Sequence, residues 1–245
     1  IKRLYPGWKV WLYTDPRGRS EALCPLLQKY SIFRVCDVNN LPKPLYNISK
    51  VLPTMWRISP LGDPTVDALL VRDTDMLFTE REQAAVQDWL DSLTTFHVMR
   101  DHPAHHAYIL AGMWGARWDV EEKPNSSDTI ENGNLIRFKN SAPSAQDMRR
   151  LRNSMLKMAY LNDEKSLDQV ILRRVLWPEM VGFVVAHDSY LCDVFKSGSK
   201  PWPTKRINGT FVGNRWFRGE VMKSEFSSKC PTACRPPDHP DWQYC

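Results

Sequence analysis

Strand and helix patterns alternate along this 245-residue chain, and that alternation predicts an α/β fold with a mixed, mostly parallel sheet. Two continuous apolar runs carry the expectation furthest: Ala68-Leu69-Leu70-Val71, and Val181-Gly182-Phe183-Val184-Val185-Ala186. Each is short, is bounded by polar residues and fits a strand buried on both faces.

Taken in order, residues 9–14 (Lys-Val-Trp-Leu-Tyr-Thr) read as a strand closed by the turn Asp15-Pro16-Arg17-Gly18. Ser20 is placed to cap a short helix with Leu23, Leu26 and Leu27 on one face. Residues 33–38 alternate as a second strand, and Met55-Trp56-Arg57-Ile58 reads as a short helix. The run 68–71 ends in Arg72-Asp73-Thr74-Asp75. Thr79 and Glu82 then form a capping box before a helix with Ala84, Ala85, Val86, Trp89 and Leu90 on its apolar face. Residues 96–100 are another strand. Residues 121–144 are polar and read as a long surface loop, followed by helices near 145–160 and 165–176, the second stopped by Trp177-Pro178. The strand 181–186 ends in His187-Asp188. Beyond residue 196 periodicity fades, and the economical division is one α/β domain over 1–213 with a cysteine-containing extension over 214–245.

Composition narrows the class. A hydrophobic share of 42% and a charged share of 25% exclude a disordered or collagen-like chain. The net charge of +5 is scattered, which suits a small anionic ligand better than a nucleic-acid backbone. Neither apolar run approaches the roughly 20 residues of a membrane helix. Six cysteines (Cys24, Cys36, Cys192, Cys230, Cys234, Cys245) and sequons at Asn47, Asn125 and Asn208 favour a secretory-pathway lumen, Golgi or extracellular. Starting at Ile1, the chain reads as a trimmed product. Cys24 with Cys36 is the expected first disulfide, and the other four cysteines then admit three pairings.

In open α/β sheets ligands gather at the carboxyl ends of the strands. Asp73 and Asp75 follow one such end, and their hard oxygens favour Mg²⁺ or Mn²⁺. His187, directly after the other apolar run, is a candidate third ligand. In Gly112-Met113-Trp114-Gly115 the glycines would let backbone approach a ligand while an exposed indole covers a sugar face. His97, His102, His105 and His106 crowd one segment, but no cysteine lies near and the proline turn gives no regular zinc spacing.

Several motifs in order then become specific. Asp67-Ala-Leu-Leu-Val-Arg-Asp-Thr-Asp75, the acidic-capped helix over 80–90, Phe96-His-Val-Met-Arg-Asp-His-Pro103 and Ile109-Leu-Ala-Gly-Met-Trp-Gly115 resemble nucleotide-sugar glycosyltransferases of the A-type fold. The likeness continues through Asp168-Gln169-Val170-Ile171-Leu172, His187-Asp188-Ser189-Tyr190 and Pro203-Thr204-Lys205-Arg206 to Phe211-Val212-Gly213, covering residues 5–213. It implies a single Rossmann-like domain that binds a sugar nucleotide through a divalent cation, Mn²⁺ or Mg²⁺. On that likeness Asp73, Asp75 and His187 are the metal ligands. Arg72, Gly112, Trp114 and Gln169 line the donor, and Lys205 or Arg206 faces the diphosphate. Asp168, with Asp101 second, is the candidate general base for an acceptor hydroxyl on a glycan or glycoprotein. Only Ile1–Leu4 precede Tyr5, where such folds place part of the base pocket. The alternative is therefore a non-catalytic secreted protein that binds glycans or metal on the same fold.

Overall fold

The computed structural model describes residues 1–92, 94–118, 129–131, 134–136, 142–217, 220–221 and 228–245. Strand β1 (Val10–Thr14) is followed by helix α1 (Ser20–Lys29) and by β2 (Phe33–Asp37), which pairs with β1 in parallel. A 3₁₀ turn (Pro53–Ile58) leads to β3 (Ala68–Arg72), α2 (Glu80–Asp91), β4 (Phe96–Arg100) and β5 (Met113–Arg117). A small antiparallel pair, β6 (Thr129–Glu131) and β7 (Asn134–Ile136), precedes α3 (Ala145–Met158). Then come α4 (Leu167–Ile171), a π segment (Leu172–Leu176), α5 (Trp177–Met180), β8 (Val184–Asp188) and β9 (Ser199–Lys200). Two-residue strands β10 (Trp216–Phe217) and β11 (Glu220–Val221) pair antiparallel near the end.

The central sheet has the order β3-β5-β4-β8-β9. It is mixed: β5 runs antiparallel to both neighbours, whereas β4, β8 and β9 are mutually parallel. The apolar run of β3, expected to sit in a parallel ladder, pairs antiparallel instead. Since β5 opposes both β3 and β4, those two strands end on the same side of the sheet.

The period of two along each strand sorts side chains into layers. Leu69, Val71, Phe96, Val98, Trp114, Ala116, Val184 and Ala186 share one core with Met148 and Met155 of α3 and with Ile171, Leu172 and Leu176. The opposite face, with Ala68, Leu70 and Val185, packs on Val86 and Trp89 of α2. Among the described residues no helix is long and apolar enough to cross a membrane.

Local chemistry accounts for most boundaries. Thr79 accepts a hydrogen bond from the Glu82 backbone N–H at 3.1 Å, as the capping pattern requires, but the Glu82 side chain turns away to Arg72. Ser144 and Asp147 complete a full capping box on α3. On α1, Ser20 is the first helical residue rather than the cap, and only Leu23 is buried; Leu26 and Leu27 are exposed. Pro178 does not stop its helix. The preceding turn widens to a π segment, which absorbs the missing N–H and the ring's clash with the previous turn, and Pro178 enters at the start of α5. The last buried strand begins three residues later than its apolar pattern, so His187 and Asp188 lie within it.

Two disulfides, Cys192–Cys234 and Cys230–Cys245, fasten the extension, whereas Cys24 and Cys36 are free thiols. Cys24 sits exposed on α1 and Cys36 is half-buried in β2, so the expected Cys24–Cys36 bridge is absent. The expected loop over 121–144 falls mostly outside the described residues, as does Asn125; Asn47 is exposed.

Candidate functional site

At the carboxyl end of β3 the chain turns through Asp73, Thr74 and Asp75, with Asp73 and Asp75 side chains 48% and 51% exposed. Across from them stands the 3₁₀ turn, pinned by buried Met55 and Ile58 and by the Trp56 indole N–H, which donates to Ile48 O at 3.0 Å and Val51 O at 2.9 Å. That anchoring presents Arg57, whose Nε donates to Thr54 O at 2.6 Å. One terminal nitrogen of Arg57 donates to Asp73, and the other donates to Asp168 at 3.2 Å. Asp168 lies in the first turn of α4, with its side chain 12% exposed and Oδ1 accepting from the Gln169 N–H at 2.9 Å. A single guanidinium therefore joins the first acidic motif to the second.

Gly112 closes the other flank of Asp73. A Cβ there would stand 2.2 Å from the carboxylate oxygen, so a larger residue would push the Asp73 side chain aside. Asp75 makes a looser contact with Arg215 at 3.6 Å, set up by the bridge between Met76 and Arg215 and the Leu77 N–H bond to Asn214 O. The three carboxylates outnumber the two arginines beside them.

His187, Asp101, Arg206, Arg72 and Trp114 are engaged elsewhere, whereas Gln169 stays beside Asp168. His187 has strand parity that turns it towards α2: its Nδ1 lies 2.8 Å from His97 Nε2, and its Nε2 lies 3.1 Å from Asp88 Oδ2. Lys200 completes the chain on Asp88 at 2.6 Å. Burial lowers the pKa of His187, and burial together with His187 and Arg72 lowers that of His97 further. Asp88 falls to about 2, chiefly through its His187 hydrogen bond against the cost of burial, with Lys200 assisting. Both ring nitrogens of His187 are thus committed within this buried chain rather than to Asp73 or Asp75.

Asp101 follows the last residue of β4 and is fully buried. Arg81 grips both its oxygens at 3.0 Å, Arg206 donates at 2.7 Å, Ser189 at 2.5 Å and the Val212 N–H at 2.9 Å. Burial opposes the charge, but Arg81 and Arg206 hold the carboxyl below its usual range. Surrounded this way, Asp101 cannot receive an acceptor hydroxyl, and Arg206 is spent on it rather than on a diphosphate. Arg72 is likewise turned inward, onto Glu82 at 2.6 Å and the Trp114 carbonyl at 2.9 Å. Trp114 and Trp202 are completely buried: Trp114 fills the α3–α4 face of the sheet, and Trp202 lies under the Arg81 guanidinium at 4.4 Å. The expected exposed indole platform at Trp114 does not form. Lys205 is exposed, beside the C-terminal extension.

The histidine-rich segment divides, with His102 and His105 staying together at 5.4 Å between ring centroids. His97 enters the sheet, and His105 Nδ1 accepts from the Asp101 N–H at 3.2 Å. Among the described residues, the group of three His, Cys, Asp or Glu whose donor atoms converge within 4.8 Å is Asp188, Cys192 and Cys234, and its two cysteines are joined to each other. The Asp73–Asp75–His187 trio is not such a group. Asp73 and Asp75 stay half-exposed, each beside an arginine. Arg57, the residue that unites the cluster, escaped the sequence reading; its only signal was a charge inside the otherwise apolar Met55-Trp56-Arg57-Ile58 turn. Comparison with protein-family models, curated proteins and solved structures finds no match for this chain.

Proposed function

We propose that this protein is a metal-dependent glycosyltransferase of the Rossmann-like A-type, moving a sugar from a nucleoside diphosphate sugar to an acceptor hydroxyl. The observation that carries the reading is the gathering of Asp73 and Asp168 on one guanidinium at the end of β3, with Asp75 beside them. This adds a spatial relation to the motif resemblance, which had left the two acidic segments unconnected.

Asp73 and Asp75 would hold Mn²⁺ or Mg²⁺, which supplies charge neutralisation on the departing diphosphate when bound. Arg57 keeps Asp73 and Asp168 at a defined spacing and limits their mutual repulsion. Gly112 leaves room for the Asp73 carboxylate. In an inverting transfer the acceptor oxygen bonds to the anomeric carbon as the bond to phosphate breaks, and Asp168 takes the hydroxyl proton. The two disulfides and the exposed Asn47 and Asn208 support a secretory-pathway setting.

Calorimetry against the nucleoside diphosphates UDP, GDP, ADP and CDP, with and without Mn²⁺, tests the reading. Manganese-dependent binding of a nucleotide, weakened at least about tenfold by Asp75→Ala, is expected. A folded sample that binds no nucleotide with metal present overturns it.

A further inference from the structure

We propose that the cleft between the 205–209 loop and the 241–244 turn is a binding site for a neutral oligosaccharide. It is a space of about 420 Å³ lined by Lys205, Arg206, Gly209, Asp241, Trp242, Gln243 and Tyr244, a volume typical of small-ligand sites. It shares no residue with the Asp73–Arg57–Asp168 cluster, and it lies where the chain meets its cysteine-containing extension.

Both walls are held before any ligand arrives. On the loop side, Arg206 donates to Thr210 O at 3.0 Å and to Asp101, tying the loop to the buried end of β4. On the extension side, the Cys230–Cys245 disulfide spans the turn and the Cys230 N–H donates to Gln243 O at 2.9 Å. Arg235 clamps Pro240 O and Cys230 O, each at 2.9 Å. The half-buried Trp242 indole is stacked on His239 with 4.2 Å between ring centroids, which fixes its plane. Among the described residues of this extension the longest regular element is the three-residue 3₁₀ turn Thr232–Cys234, so the disulfides and these hydrogen bonds are what hold the wall in place. A rigid aromatic-bearing wall reduces the ordering cost that weak ligands otherwise bear.

The lining chemistry selects the ligand class. Trp242 and Tyr244 supply aromatic surface for the C–H face of a sugar ring. Gln243 and Asp241 offer an amide and a carboxylate that can each bond to adjacent hydroxyls. Charge argues against an anion: Arg206 turns its guanidinium inward onto Asp101, leaving Lys205 and Asp241, of opposite sign, at the cleft. A nucleotide or sulfated chain would meet no cationic excess there.

The test uses the whole chain, without nucleotide or metal, and ligand-observed NMR or calorimetry with chitotriose, maltotriose, N-acetyllactosamine, sialyllactose and a heparin tetrasaccharide. At least one neutral saccharide should bind at millimolar concentration or better, and both Trp242→Ala and Asp241→Asn should weaken it about tenfold. Asp75→Ala should leave it unchanged, which separates this site from the donor site. Thiol titration confirms that the variants keep both disulfides, and Tyr244→Ala provides a second aromatic deletion should Trp242→Ala lose them. Binding of the acidic saccharides alone, binding that survives loss of the aromatic residues, or no saccharide binding overturns the proposal.

Discussion

Asp73 and Asp101 each follow an arginine that ends a strand, on the same side of the same sheet, and each is met by arginine. Their fates differ. Asp101 receives two guanidiniums, a hydroxyl and a backbone N–H, and no part of its side chain reaches solvent. Asp73 shares one guanidinium with Asp168 and remains half-exposed. The contrast comes from what covers each strand end. Over β4 lie Arg81 of α2, the 204–212 loop and the extension, whose Cys245 carbonyl also accepts from Arg81. Over β3 lie a single 3₁₀ turn and a glycine. Saturating a carboxylate with donors makes a structural joint. Supplying fewer donors than it can use leaves capacity for a ligand.

The largest effect should come from the sealed centre. Asp101→Ala leaves Arg81 and Arg206 buried and uncompensated, and should cost about 3–5 kcal/mol in urea unfolding. A loss under about 1 kcal/mol would show that Asp101 is not the joint described.

Acidification should come next. Burial lowers the pKa of His97, His187 and His105, the last to about 4. The unfolded chain therefore binds more protons below its ordinary histidine pKa of about 6.5. Stability that depends on these rings is intact above that pH and falls as pH drops towards 4, so the urea midpoint should decrease between pH 7.5 and pH 5. His97 and His187 lie between the sheet and α2, so the sealed half should loosen first. A flat or rising midpoint would contradict neutral, buried rings.

The smallest stability change belongs to the open centre. Arg57→Ala should shift unfolding by about 1 kcal/mol or less, as expected for a partly exposed pair. On the proposed function it should nonetheless weaken manganese-dependent nucleotide binding severalfold, with Arg57→Lys restoring part of it. Equal stability losses at Arg57 and Asp101 would erase the distinction between the two centres.

Much of the fold was legible in local pattern. Thr79 with Glu82 marked the start of α2, and the run at 68–71 marked β3, because capping and alternation act over a few residues. Pro178 misled because widening of the preceding turn absorbed it. The open cluster was half legible: Asp73, Asp75 and Asp168 were nameable as acidic motifs, whereas nothing near Arg57 in the sequence pointed to either partner.

The sequence by itself determined most of the strands and helices, though not β5, and that Asp73 and Asp75 emerge at a strand end. Tertiary structure alone decided that Asp101 is sealed, that His187 faces Asp88, that Trp114 is core and that Cys24 and Cys36 stay apart. The physical reason is range. Propensity and periodicity are read within a turn or a strand, but the burial and charge of a side chain depend on groups such as Arg206 and Asp101, 105 residues apart, that meet only after the layers have packed.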